Sequence, residues 1–194
     1  MPSLAEFWRH LTGDEDRDMP DEDDARDVDD DAVVARPVES DADWAAVQVV
    51  RRMVFHDEQG FIGAETTDSD DGRSFQALAT VPITDAAMGD RWAELRVGDR
   101  LVVSVGRMTP GPASGSEATI TWVATVPDFR GRGAAAAVMG LMLQQADRIG
   151  APTVRLSSQG HAVPFYRRLG FQPVGAPYEI RGMPHQLMAR WQTS

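Results

Sequence analysis

The residues with the clearest chemical potential form one short run, Val126-Pro127-Asp128-Phe129-Arg130-Gly131-Arg132-Gly133-Ala134-Ala135. A strand pattern stops at the proline, two closely spaced glycines make a tight turn, and a helix pattern starts on small residues. Such a turn aims the unpaired N–H groups of a helix's first turn, and the positive end of its dipole, at one point. That point suits an anion, a pyrophosphate in particular. Gly131 and Gly133 have no Cβ and admit a ligand close to the backbone, while Ala134 to Ala137 keep the first helical turn thin. Composition removes other chemistries. The chain has no cysteine, which excludes disulfides, thiol catalysis and cysteine-ligated zinc. All 19 of its basic residues are arginine, which removes Walker-type phosphate binding, Schiff-base chemistry and lysine general bases.

The elements that must position this turn follow from periodicity. Ala118 to Val126, dense in Thr, Ile, Trp and Val, is the strongest strand pattern and leads into the turn. Ala134 to Ile149 reads as the helix behind it, closed by Gly150. Thr153 to Ser157 reads as a strand, His161 to Leu169 as a helix with Pro164 in or near its first turn, and Val174 to Arg181 and Gln186 to Trp191 as closing strands. Upstream, Val33 to Val38 reads as a strand. Ser40 and Asp43 have capping-box spacing and open a helix through Trp44, Val47, Val50 and Val54. Phe75 to Val81, Trp92 to Val97 and Leu101 to Arg107 are predicted strands, the last two joined by a turn at Gly98-Asp99. Thr109 to Ser116 is a loop rich in Pro, Gly and Ser. The alternation of strand and helix in the second half predicts an α/β or α+β domain, and there is no internal repeat.

Two families use such a turn. Gly131-Arg132-Gly133-Ala134-Ala135-Ala136 matches the dinucleotide-binding fingerprint, but that fingerprint also wants an acidic residue at the end of the next strand. Thr153-Val154-Arg155-Leu156-Ser157-Ser158 supplies none. Arg130-Gly131-Arg132-Gly133-Ala134-Ala135 resembles the Arg/Gln-x-x-Gly-x-Gly/Ala signature of the GNAT N-acetyltransferase superfamily. Phe165-Tyr166-Arg167-Arg168-Leu169-Gly170-Phe171 resembles its second hallmark. Val54-Phe55-His56-Asp57-Glu58-Gln59, Ser158-Gln159 and Met183-Pro184-His185 with Met188 are similar to the ElaA-like branch. The resemblance spans Val33 to Trp191 and departs from the family in the long stretch from Pro82 to Gly98. It implies an α+β fold: one GNAT-type domain with a central mixed, mostly antiparallel sheet, splayed between strands 4 and 5 and flanked by helices.

The same resemblance implies an acetyl-CoA-dependent N-acetyltransferase, with acetyl-CoA as cosubstrate and no metal. Pantetheine would lie in the splay along the backbone of Val123, Ala124, Thr125 and Val126, where an N–H polarises the thioester carbonyl. Arg130, Gly131, Arg132, Gly133, Ala134 and Ala135 would hold the pyrophosphate. Ser158, Gln159 and Phe165 complete the expected coenzyme contacts, although Phe165 also reads as core and Arg132 as a solvent-facing residue. Tyr166 matches the tyrosine that protonates the departing thiolate in many relatives. An incoming ammonium must lose a proton before it attacks. Glu58 is the first candidate base and His185 the second, with His56 and His161 behind them. Asp68, Asp70 and Asp71 read as a solvated loop rather than a cation site.

The net charge of -11 is local rather than global. Between Asp14 and Asp31 there are twelve acidic residues against two arginines, which leaves the rest of the chain near neutrality. No nucleic-acid footprint follows from this balance. No apolar run reaches the roughly 20 residues of a membrane span, no secretory signal is visible, and a cytoplasmic protein is expected. Ser3 and Glu6 have capping-box spacing, and Leu4, Phe7, Trp8 and Leu11 share one helix face. Residues 1–31 thus read as a short amphipathic helix on an acidic, disordered tether, either docked on the domain or free to bind a protein partner. Residues 32–194 are the acetyltransferase domain. The expected acceptor is a primary amine of a small molecule or peptide; the competing function is a catalytically silent acyl-CoA-binding module. Homodimers are common in the superfamily, but nothing in this sequence specifies one.

Overall fold

Ser40 starts the first helix in the way its spacing to Asp43 requires. Its hydroxyl accepts the Asp43 N–H at 3.1 Å, and the Asp43 carboxylate accepts the Ser40 N–H at 3.2 Å. The computed structural model describes residues 33–60 and 66–192, so the helix and tether expected over residues 1–31 lie outside the described residues. Helix α1 (Asp41–Arg51) buries Ala46, Val47 and Val50 along one stripe. Asp43 also accepts two hydrogen bonds from Arg36 of strand β1 (Val34–Pro37), at 2.8 and 2.5 Å, which pins the start of α1 to the sheet. The helix does not stop at Arg51. It continues as a π-helix, Arg52–Glu58, closed by the Gln59 N–H on the Val54 carbonyl at 3.2 Å.

The sheet continues through β2 (Phe75–Pro82), β3 (Arg96–Val97), β4 (Arg100–Thr109), β5 (Ala118–Thr125), β6 (Thr153–Gln159), β7 (Gln172–Pro173), β8 (Tyr178–Ile180) and β9 (Met183–Trp191). Its order is β1-β2-β4-β5-β6-β9-β7, with β3 beside β4 and β8 beside β9. Every pair is antiparallel except β5 with β6, giving the mixed, mostly antiparallel sheet that was expected. The remaining helices are α2 (Ala86–Arg91), α3 (Ala134–Arg148) and α4 (Val163–Arg168). Helix α3 packs Val138, Met139, Met142 and Ala146, all fully buried, on β2 and β4. Gly106 lets it come this close: a Cβ there would lie 2.6 Å from Met142 Cε and 2.9 Å from Val138 Cγ1.

Strands β5 and β6 pair only at Ala118/Val154, Thr119/Arg155 and Ile120/Leu156, and beyond Ile120 no pairing joins them. This is the splay expected between a fourth and a fifth strand; the two-residue β3 raises the count by one.

Two predicted strands are corrected. Trp92 to Val97 is mostly helical. The Asp85 carboxylate caps α2 through the Met88 N–H at 2.8 Å, a 3-10 turn covers Ala93–Leu95, and only Arg96–Val97 is extended. Trp92 and Leu95 are three apart, a helical spacing, and Leu95 is the buried one of the pair. Val174 to Arg181 is extended only at Tyr178–Ile180, because Gly175 and Pro177 interrupt it. Arg181 (φ 49°) and Gly182 (φ 75°) then form a two-residue hairpin turn into β9.

Candidate active site

The divergence of β5 from β6 opens a cleft of about 1150 Å³. One end is the glycine turn. After a 3-10 turn at Pro127–Phe129, Gly131 (φ 74°) and Gly133 (φ 83°) both adopt the left-handed conformation, and Gly133 is the N-cap of α3 with no capping side chain. The first intrahelical bond runs from the Ala137 N–H to the Gly133 carbonyl at 3.0 Å. The N–H groups of Ala134, Ala135 and Ala136 therefore have no acceptor within the helix. Gly131 and Gly133 through Ala136 line the cleft. The glycines are required there by backbone angle; at Gly131 no protein atom lies within 4 Å of where a Cβ would sit.

The β5 wall carries Val123, Ala124 and Thr125. Val105 pairs with Ala124 and Arg107 with Thr121, so Trp122 and Val123 bulge opposite Gly106 with no paired residue on β4 or β6. Trp122 has φ 56°, rare for so bulky a residue. Gln159, Phe165 and Tyr166 form part of the opposite wall. Tyr166 is only 8 % exposed and sits edge-on to Phe165 and Phe171, with centroids 5.0 and 6.0 Å away. Burial pushes its hydroxyl up to a pKa of about 12, so it stays protonated throughout the physiological range.

Three of the expected coenzyme residues lie off the cleft. Val126 is fully buried behind it. The Arg132 guanidinium sits over the Phe129 ring at 5.6 Å. Ser158 is buried and donates to the Gln159 carbonyl at 2.9 Å, while its neighbour Ser157 lines the cleft, as strand alternation requires.

The π-helix contributes Phe55, Glu58 and Gln59 to the lining. Glu58 and Arg130, expected to act separately, form a two-pronged ion pair at 2.8 and 2.5 Å. Arg130 holds the Glu58 carboxyl below its ordinary range. The side-chain amide of Gln159 donates to Gln59 at 2.9 Å, a second bridge between the π-helix and the rest of the cleft. Buried His185 faces the cleft, and its Nδ1 lies 2.8 Å from the Met183 carbonyl. A carbonyl only accepts, so Nδ1 carries the proton, and in the neutral ring Nε2 is left as an acceptor. His161 lines the cleft as well.

Sequence reasoning missed a buried charge network. Arg51, 0 % exposed, donates to the Thr66 carbonyl and Gln76 at 2.9 Å each and to Asp71 at 3.1 Å, and is stacked between Trp44 and Trp122. Arg107 donates to Asp68 at 2.5 Å and Asp71 at 2.9 Å. Asp68, held down to about 2 chiefly by the Arg107 hydrogen bond, accepts the Trp122 indole N–H at 3.3 Å. The loop is solvent-exposed or half-buried, as expected, but Asp68 and Asp71 tie it to two buried arginines, and Asp68, Arg107 and Trp122 line the cleft. No group of three or more acidic or histidine side chains among the described residues is arranged to hold a metal ion.

Residues 98–190 match the family model described as Acetyltransferase (GNAT) domain. No curated protein sequence matches the chain. Among solved structures, ElaA from Escherichia coli is similar at 23 % identity and TM-score 0.65, covering 82 % of this chain and 99 % of that one. An acyl-CoA N-acyltransferase from Pseudomonas aeruginosa is similar at 22 % identity and TM-score 0.63, covering 82 % and 98 %. A GNAT family acetyltransferase from Elizabethkingia anophelis, solved with acetyl-CoA bound, shares 9 % identity at TM-score 0.53, covering 84 % and 99 %. At these identities the structural likeness speaks for the fold.

Proposed function

We propose that the chain is a GNAT-type acetyltransferase that transfers an acetyl group from acetyl-CoA directly to a primary amine of a small molecule or peptide, a reading supported by the GNAT domain model over residues 98–190 and by the shared fold. The observation that carries this reading is that one cleft gathers the unpaired N–H groups of α3, the unpaired bulge of β5, buried Tyr166 and His185. The acetyl-CoA bound by the Elizabethkingia anophelis relative supports the same ligand here.

In this mechanism the free N–H groups of Ala134 to Ala136 take the pyrophosphate, and pantetheine follows the backbone of Val123 to Thr125. An N–H at the bulge stabilises the negative charge that grows on the thioester oxygen. His185 Nε2 removes a proton from the incoming ammonium. The amine nitrogen then bonds to the carbonyl carbon, the C–S bond breaks, and the sulfur collects the Tyr166 proton. The surplus proton on the nitrogen restores the tyrosine, leaving a neutral amide and a free thiol. A pKa of about 12 keeps that proton in place until the sulfur becomes negative. The dry surroundings that raise the tyrosine also disfavour a bare thiolate, which helps the transfer.

The test is thiol release from acetyl-CoA across a panel of amines. At least one amine should be turned over, and Tyr166→Phe should lower kcat by tenfold or more while sparing coenzyme binding. Tight acetyl-CoA binding without release for any amine would identify the silent module instead.

A further inference from the structure

Among the described residues, Trp122 and Arg181 are the non-glycine residues with positive φ. Arg181 sits in a hairpin turn, where such angles are routine. Trp122 sits inside a strand, on the bulge beside Val123, where a bulky side chain holds this conformation only under restraint from its surroundings. Three contacts supply the restraint. The Arg51 guanidinium lies 4.9 Å from the indole centroid, the Phe55 ring meets it edge-on at 5.1 Å, and the indole N–H donates to Asp68 Oδ2 at 3.3 Å. Arg51 is itself immobilised by its four hydrogen bonds to Thr66, Asp71 and Gln76. Asp68 is aimed by Arg107 through its other oxygen.

We infer that Asp68 is a positioning residue: by holding the Trp122 indole it keeps the β5 bulge in the shape that presents backbone N–H to the thioester oxygen. The inference rests on the acetyltransferase reading above. It assigns Asp68 no contact with the reacting atoms and no proton transfer; its carboxylate acts through Trp122. Coenzyme affinity is set mainly at the α3 turn, so loss of Asp68 affects kcat more than the coenzyme KM.

A double-mutant cycle tests this. Asp68→Ala and Trp122→Phe should each lower kcat about tenfold, equivalent to about 1.4 kcal/mol, with the coenzyme KM within about twofold of wild type. The double variant should be no slower than either single one, because both remove the same link. Asp68→Asn retains an oxygen for the indole N–H and should recover most of the rate. Unchanged kcat in Asp68→Ala, losses that multiply in the double variant, or a loss of coenzyme affinity parallel to kcat would each overturn the proposal. A crystal structure of Asp68→Ala gives a readout independent of turnover. Trp122 should leave the left-handed region there, and a bulge unchanged in that structure would also overturn it. If the wild type releases no thiol with any amine, the acetyltransferase reading fails, and the crystal structure alone decides whether Asp68 holds the bulge.

Discussion

The partners of Glu58 and His185 favour His185 as the proposed base. Both oxygens of Glu58 are engaged by Arg130, which favours the carboxylate and makes it a reluctant proton acceptor. His185 lines the cleft with Nδ1 fixed on the Met183 carbonyl, which in the neutral ring leaves Nε2 as the acceptor a base needs. Glu58→Gln should therefore leave kcat within about twofold, whereas His185→Ala should lower it by tenfold or more at neutral pH, on the scale typical of general-base removal. Steady-state kinetics of the two variants decide between them. A collapse of kcat in Glu58→Gln with His185→Ala unaffected would favour Glu58 instead. Both terminal nitrogens of Arg130 are engaged by Glu58. Glu58→Gln frees it, so the coenzyme KM should not rise.

At the scale of elements, the turn before α3 combines a conformational demand with an electrostatic one, and two substitutions separate them. Gly133 has φ 83°, so Gly133→Ala should cost about 1–2 kcal/mol in stability and weaken coenzyme binding only as far as the turn shifts. Gly133→Glu adds a negative charge at the proposed pyrophosphate site and should abolish coenzyme binding. Thermal unfolding and calorimetry on both variants provide the measure; equal coenzyme affinity in the glutamate variant and wild type would remove this turn from the binding site.

This turn, β5, α3 and α4 were legible in the sequence because each is specified locally, by glycine spacing, β-branched density, small residues and a proline in the first turn. The Trp92 to Val97 stretch was misread because its apolar residues are too few to separate a helical spacing from a strand. The site's cross-links were not legible at all. Glu58 and Arg130 stand 72 positions apart, and Asp68 and Arg107 stand 39 apart. No periodicity connects such pairs. An Asp/Ser/Gly run reads as solvated, and nothing in it points to the buried arginines that pair with it. The left-handed Trp122 and the π-helical end of α1 had no marker either, since β-rich and helical patterns run through both positions unbroken.

For the whole molecule, these ion pairs divide the fold into two faces with different answers to acid. On one side, Arg36 with Asp43 ties α1 to β1, and Arg51 and Arg107 with Asp68 and Asp71 tie residues 66–73 to α1 and β4. On the other, α3 meets the sheet through Val138, Met139, Met142 and Ala146, none of which titrates. Asp43 and Asp68 are each held down to about 2, each chiefly by a hydrogen bond from an arginine, Arg36 and Arg107 respectively. An unfolded aspartate titrates near 3.9. A depressed folded pKa means stability that is fully present above the unfolded value and is lost as pH falls toward the folded one. The thermal midpoint should hold from pH 7 to about pH 5 and drop between about pH 4 and pH 2. Asp43→Asn should be less stable at neutral pH and should flatten the drop. Hydrogen exchange at about pH 3 should quicken first in α1 and residues 66–73 while α3 stays protected, because the strongly depressed Asp43 and Asp68 lie on the first face. Exchange that rises uniformly, or first in α3, would show that apolar packing rather than the carboxylate–arginine network limits this fold in acid. If α1 loosens first, the part of the cleft lining that carries Phe55, Glu58 and Gln59 loosens with it, before the N-terminal end of α3 does.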